Sequence, residues 1–429
     1  MKHTGLMLAL LLSMPALCWQ DKEANKQKIK DLREYARQGS PAIPRITPYL
    51  QDSDLEVRRE AVKALVAAGS QRSLEALTAA CSDNDAEVQI RATDGLVNFY
   101  LPGYVDRGMS ASLRRAGGLT GSRWFEGNNE AIDADTPLRP EITEALIGLV
   151  RGGVSMEVRA NAARALGVLR ARAAVPVLVE ALKSKDSRLM YESLVALQKT
   201  RDRSAGPNVA FLMRDLDERV QLAAIETAGI LGSKEAVPGL KRVLESPANK
   251  KVRRAVLVAL AQIGDPANRP LFLSLVADKD DDARAAAAEG LGRLAAAEDR
   301  PTVEKAWSDE RKTSPRLAQA FALALLGNVD TSSFGPVGYL VNSLNQKAWR
   351  GVALPYLSEL ALKPEPRSAI IVALGQATTR DEKAGLAQAL AGCGSADAVA
   401  GLEKLSKDDD ASVAREALRA LRILKGSIR

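Results

Sequence analysis

The 429-residue chain is predicted to fold as an all-α solenoid of about eleven stacked helix pairs, broken once by a long inserted loop. Three observations predict it. A ten-residue segment of the form E-V-R-x-x-A-x-x-A-L returns at near-constant spacing, and a set of prolines keeps the same beat. Apolar residues make up 46% of the chain, yet aromatic residues only 4%. The two periodicities mean that one supersecondary unit is repeated. The composition means that the core is built from Ala, Leu and Val, which suit closely packed helices. Charged residues, at 26%, are too ordinary a share for wholesale disorder.

The N-terminus reads as an export signal. Lys2 and His3 form a short basic region, residues 6–12 are apolar, and Ala16-Leu17-Cys18 offers small residues for cleavage. A spanning helix needs ~20 apolar residues; here the run ends at Trp19, and the charged stretch 21–30 follows. Residues 1–18 are therefore expected to be a signal peptide and 19–40 a charged helical segment. The chain is expected to be exported, periplasmic or secreted, with no transmembrane segment after cleavage. An uncleaved interfacial anchor is the alternative, and Leu17 before Cys18 disfavours a lipoprotein signal. Removing 1–18 takes away one Lys and the only His, so the net charge of +7 becomes +6 and no histidine remains. Cys81 and Cys393 stay, at opposite ends of the array. With ~9 Å between packed helices, they are far beyond the ~7 Å limit for a disulfide, and Cys81 is expected to be a small buried residue.

The repeats follow. EVRREAVKAL (56–65), EVQIRATDGL (87–96), EVRANAARAL (157–166), RLMYESLVAL (188–197), RVQLAAIETA (219–228), KVRRAVLVAL (251–260) and DARAAAAEGL (282–291) align with steps of 31, 70, 31, 31, 32 and 31. Pro176, Pro207, Pro238, Pro270 and Pro301 are spaced 31, 31, 32 and 31. Proline suits the first turn of a helix, where its missing N–H is not needed, so each opens a helix A. Asp54, Asp85, Asp186, Asp217 and Asp280, with Ser155 and Asn249 as variants, are placed to cap a helix B. Apolar residues then recur at helical spacing, as at Val252, Val256, Leu257 and Leu260, and Gly69, Gly232 and Gly264 supply left-handed stops. One pair cannot bury its apolar stripe alone; stacking makes the core continuous.

Asp54-Leu-Glu-Val57-Arg58, varied as Asn249-Lys-Lys-Val252-Arg253 and followed by A-x-x-A-L, resembles HEAT repeats, and the short period most resembles the bacterial subclass called PBS lyase HEAT-like repeats. The resemblance covers most of 40–425, weakens over 328–380 and returns at SVAREALRAL (412–421). It implies a right-handed α-solenoid with HEAT-like repeats over 41–98, 140–327 and 381–429, the last with a cap, and degenerate repeats over 328–380. In the family, helix A lines the convex side and helix B the concave one. The usual role is protein scaffolding, although enzymatic members exist.

The 70-residue step is an insertion between a helix B and the next helix A, over 99–139. Residues 99–129 hold six glycines and five of the 17 aromatics. Phe99, Tyr100, Tyr104, Arg107, Arg114, Arg115, Arg123, Trp124 and Phe125 are the candidate partner-binding residues, because Tyr, Trp and Arg dominate binding hot spots. Arg114 and Arg115 would face an acidic or phosphate-bearing partner. The competing reading packs Phe99, Tyr100 and Trp124 down on the helices as loop anchors.

Reactive motifs are scarce. A chain without histidine has no Ser-His-Asp or Cys-His arrangement and no histidine-based zinc or iron site. Asp278-Lys-Asp280-Asp-Asp282 resembles a calcium loop, but Ala283 stands where glycine is needed. No catalytic residue, cofactor or metal is expected. Arg58, Arg91, Arg159, Arg253 and Arg284 fall near one point of helix B and would stack as a row. Paired with capping aspartates of their own or a neighbouring repeat, they form a ladder between repeats, the i,i+4 spacing of Asp54 with Arg58 and of Asp280 with Arg284 supporting such pairing; unpaired, they form a cationic track. The small surplus charge favours the ladder. The reading is an exported, non-enzymatic scaffold that binds protein partners, possession of an acidic partner being one version of it. The alternatives are a polyanion or nucleic-acid binder on the concave face, which the export signal disfavours, and a lyase-like HEAT enzyme.

Overall fold

The computed structural model describes residues 5–105 and 130–428, and the described residues contain helices and turns but no strand. The chain forms two compact units, Met1–Ile132 with Thr136–Ala205, and Asp133–Asp135 with Gly206–Arg429. The first holds α1 (Gly5–Gln38), short helical turns over 40–51, α2 (Leu55–Ala68), α3 (Ser73–Ala80), α4 (Ala86–Tyr100), α5 (Pro140–Gly152), α6 (Met156–Val168), α7 (Val175–Ala181) and α8 (Ser187–Thr200). The second holds α9 (Glu218–Ile230), α10 (Val237–Glu245), α11 (Lys250–Ile263), α12 (Arg269–Leu275), α13 (Asp281–Leu294), α14 (Arg300–Asp309) and α15 (Thr313–Leu325). It continues through α16 (Pro336–Ser343), α17 (Lys347–Leu360), α18 (Pro364–Gln376), α19 (Arg380–Ala391), α20 (Val399–Leu405) and α21 (Ala411–Ser427). The B helices are α2, α4, α6, α8, α9, α11, α13, α15, α17, α19 and α21; the array is an all-α solenoid of paired helices.

Local chemistry explains each boundary. Proline sits in the first turn of α5, α7, α10, α12, α14, α16 and α18. Asp54, Asp85, Ser155, Asp186, Asp217, Asn249, Asp280 and Asp410 each accept hydrogen bonds from the first free N–H groups of a helix B. Pro207 departs from the pattern. It lies inside the 3-10 run Arg203–Asn208, followed by a second such run, Ala210–Arg214; Gly206-Pro207-Asn208 has too little helix propensity to close an α-turn. Gly264 ends α11 in the left-handed region at φ 64°. Arg201 and Ala295 do the same for α8 and α13 without glycine's freedom, at φ 53° and 52°.

Neighbouring B helices approach closely where small residues meet. A Cβ added at Gly167 would lie 2.6 Å from the Ala196 Cα, and one at Gly292 would lie 2.6 Å from the Ala322 Cα. Around these contacts Val57, Leu65, Ile90 and Leu166 are fully buried in the first unit, as are Val252, Phe272, Leu291 and Phe321 in the second. Cys81 is buried too: its thiol donates to the Leu77 carbonyl, and burial pushes it up to about 12.

The arginine row is a ladder, and of its two expected kinds of rung the ones across repeats form. Arg58 donates to Asp83, 2.8 Å away in the following repeat, and to the Asp52 carbonyl of its own turn. Arg59 reaches Asp85 at 2.9 Å, Arg284 reaches Glu310 at 2.8 Å, and Arg253 lies 3.9 and 3.8 Å from Asp278 and Asp280. The i,i+4 pairs of Asp54 with Arg58 and Asp280 with Arg284 do not form. Those carboxylates are already committed to N–H groups at the helix start, so the guanidinium stretches across to the next repeat. Arg91 pairs with Glu87 on its own helix, and Arg159 donates to the Val150 carbonyl.

Candidate functional site

The insertion is tied down at both ends within the first unit. Beyond α4, the Tyr104 N–H donates to the Leu101 carbonyl and the Val105 N–H to the Asn98 side chain, each at 3.1 Å. Returning to α5, the Ile132 N–H donates to the Val168 carbonyl at 3.0 Å, and the Arg139 N–H to the Tyr100 hydroxyl at 3.3 Å. Phe99 and Tyr100 are half-buried and meet edge to face, with ring centroids 5.2 Å apart. Tyr104 is only 1% exposed. Of the sequence-predicted site residues, these three are described; Arg107, Arg114, Arg115, Arg123, Trp124 and Phe125 lie outside the described residues.

Around Tyr104 the B helices α4, α6 and α8 carry a set of buried polar side chains. The Asn161 amide donates to Asp94 at 3.0 Å in the interior. The Arg164 guanidinium stands 5.9 Å from the Tyr104 ring centroid and is 6% exposed. Its Nε and the Tyr104 hydroxyl are buried without a hydrogen-bond partner. Glu192 is buried nearby, and Glu130 lies within electrostatic reach of Tyr104. Burial pushes the Tyr104 phenol up, and burial followed by repulsion from Arg164 pulls the Lys199 amine down to about 8.

Sequence reasoning missed these residues, although a signal was there. Counted from the start of each aligned segment, Asn161 and Glu192 are fifth, Asp94 and Arg164 eighth, and Lys199 twelfth. Ala223, Ala255 and Ala286 fill the fifth place in later repeats, whereas Glu60 and Arg91 fill it in the first two, so Asn161 and Glu192 stand out only from the repeats that follow them.

The same register places a second polar cluster in the other unit. Glu289 is eighth and Arg293 twelfth on α13. The Tyr356 hydroxyl donates to Glu289 at 2.5 Å, and Arg293 donates to Glu289 at 2.7 Å and to both oxygens of Glu359 at 2.9 Å. The Phe321 ring stacks on Tyr356 and lies 4.9 Å beneath the Arg293 guanidinium. A cavity of about 460 Å³ opens beside it, lined by Gly264, Gly292, Arg293, Ala324, Glu359 and Lys363. Every donor of this cluster that faces the interior has its acceptor, so it reads as a brace. Among the described residues no group of acids, cysteines and histidines is placed to hold a metal ion, and no helix is long and apolar enough to cross a membrane.

One titration is expected to report the first cluster. Lysine held at about 8 rather than 10.5 makes folding work against its charge below pH 8, and stability rises with pH between the two values, because the unfolded chain binds the extra proton. Lys199→Met should therefore melt above the wild type at pH 7, with the gap closing toward pH 10. A gap that stays constant across that range would show an ordinary surface lysine.

The profile for HEAT repeats matches residues 20–97, 143–210, 195–260 and 243–325, more than half of the chain. A phycocyanobilin lyase subunit alpha from Nostoc sp. (strain PCC 7120) is 31% identical over 157 residues, which is 33% of this chain and 56% of that protein. Among solved structures, the complex of CpcE and CpcF of phycocyanin lyase from Nostoc sp. PCC7120 has a TM-score of 0.31 at 21% identity, covering 67% of this chain and 89% of that one. Importin beta reaches a TM-score of 0.43 at 12% identity, covering 92% and 59%. The match to the lyase subunit corrects the expectation of a non-enzymatic chain. Scarce histidine, His3 alone, limits histidine chemistry only; carboxylates, amines and phenols remain, and a relative with this degree of identity is a lyase subunit. The chain belongs to the HEAT-repeat family.

Proposed function

We propose that the chain is a protein-binding HEAT solenoid with a lyase-like role, centred on the polar side chains that α4, α6 and α8 gather around Tyr104. The observation that carries the reading is Arg164, an arginine 6% exposed whose Nε has no acceptor. A solenoid that only holds partners on its surface gains nothing from burying such a group, which costs free energy unless something pairs with it. The likeness to a phycocyanobilin lyase subunit gives the reading its chemical direction: a phycocyanobilin-type chromophore handled together with a protein partner. The inserted segment, from Phe99, Tyr100 and Tyr104 through Arg107, Arg114, Arg115, Arg123, Trp124 and Phe125, is where that partner would engage. Export through residues 1–18 places the work in the periplasm or outside the cell.

A polyanion track on the arginine row has little support, since Arg58, Arg59 and Arg284 are spent on acids of the next repeat. The test is direct. The purified chain is mixed with phycocyanobilin and followed by absorbance, and the exported fraction is used for capture with the intact chain and with a deletion of 99–137. A spectral shift lost in Arg164→Met, together with a partner lost in the deletion, supports the reading. No shift, or the same partners with and without the insertion, rejects it.

A further inference from the structure

We infer that Arg164 and the Tyr104 hydroxyl form a subsite for an oxyanion, the carboxylate or phosphate group of a ligand; the inference rests on the proposed function only for the location of the site. Among the buried polar atoms there that make no hydrogen bond, two are donors that face one another's residues, the Arg164 Nε–H and the Tyr104 O–H. Both are donors, and what each lacks is an acceptor. They belong together: the guanidinium stands 5.9 Å from the Tyr104 ring centroid, with Arg164 6% and Tyr104 1% exposed. Native interiors seldom leave two neighbouring donors unmet, and the economical resolution is one group with several acceptor oxygens.

Charge points the same way at short range. Lys199 is close enough to Arg164 for the two cations to repel, which contributes to the lowered amine. An anion held by Arg164 would relieve that repulsion. The wider surroundings limit the choice of anion. Asp94, Glu130 and Glu192 act on Tyr104, and Asp94 is already held by Asn161. With these acids nearby the cluster attracts no anion from afar, so recognition depends on the fixed donors. That favours a singly charged carboxylate over a doubly charged phosphate.

The experiment uses the full-length chain, with sodium acetate and inorganic phosphate as probes against sodium chloride at matched ionic strength. Melting temperature and isothermal titration are read for the wild type, Arg164→Met and Tyr104→Phe. Acetate is expected to raise the melting temperature. Its affinity should fall at least about tenfold in Arg164→Met, the loss of a charge-assisted contact, and several-fold in Tyr104→Phe. A response to phosphate alone that is lost in Arg164→Met keeps the subsite and identifies phosphate as the source. No response beyond chloride, or equal affinity in wild type and Arg164→Met, overturns it. If Arg164→Met fails to fold, Tyr104→Phe decides, because it removes an oxygen that makes no hydrogen bond; unchanged affinity there overturns the subsite. Acetate binding without any phycocyanobilin response leaves the subsite standing and rejects only the lyase-like role.

Discussion

Arg293→Met is expected to destabilise the second unit by about 3–5 kcal/mol, the range for breaking a buried ion pair from one side. The guanidinium reaches Glu289 at 2.7 Å and both oxygens of Glu359 at 2.9 Å. Methionine fills most of the volume above Phe321, so the loss would come from charge rather than from a cavity. Glu289 would be left buried with only the Tyr356 hydroxyl donating to it. The Glu359 side chain is 39% exposed and can turn to water, which places the effect toward the lower end. Denaturant unfolding of the variant against the wild type measures the loss. A loss under about 1 kcal/mol, typical of exposed pairs, would mean that the cluster is solvated.

Gly292→Val and Gly167→Val should each cost about 1–3 kcal/mol or more through overpacking. In both, the new Cβ would stand 2.6 Å from a backbone Cα of the neighbouring B helix, Ala322 in one case and Ala196 in the other. Backbone cannot swing aside as a side chain can, so the helices must separate along their contact. Gly148→Ala on α5 is the control. Nothing lies within 4 Å of its added Cβ, and a mid-helix glycine gives way to alanine with a gain of roughly 0.5–1 kcal/mol. Melting curves of the three variants would test the packing; valine tolerated at 292 and 167 would refute the close approach.

The helix pairs were legible because their signals are local. A proline in the first turn, an aspartate at the cap and apolar residues at helical spacing act within one repeat, so Pro176, Asp85 or Val256 can be read without knowing any neighbour. What stayed hidden depends on the neighbour. Sequence distance alone could name Asp54 as an i,i+4 partner for Arg58 but could not name Asp83, which lies 25 residues away and next to it in space. Arg164 and Glu289 look like any charged residue on a helix until the flanking B helices are placed and their position proves to be interior. The left-handed ends at Arg201 and Ala295 carry no glycine to announce them. The non-enzymatic expectation failed for a different reason: the absence of one reactive residue type was taken as the absence of reactivity.

Solenoids generally behave as springs because each coil touches only the next, so bending spreads evenly along the length. Between α13 and α17 that rule is broken. The Tyr356–Glu289 and Arg293–Glu359 contacts span residues 66 and 67 apart, reaching over α15 and fastening coils that would otherwise move independently. Three coils there must flex as one stiff block, and any stretching or coiling of the second unit is pushed into the segments on either side.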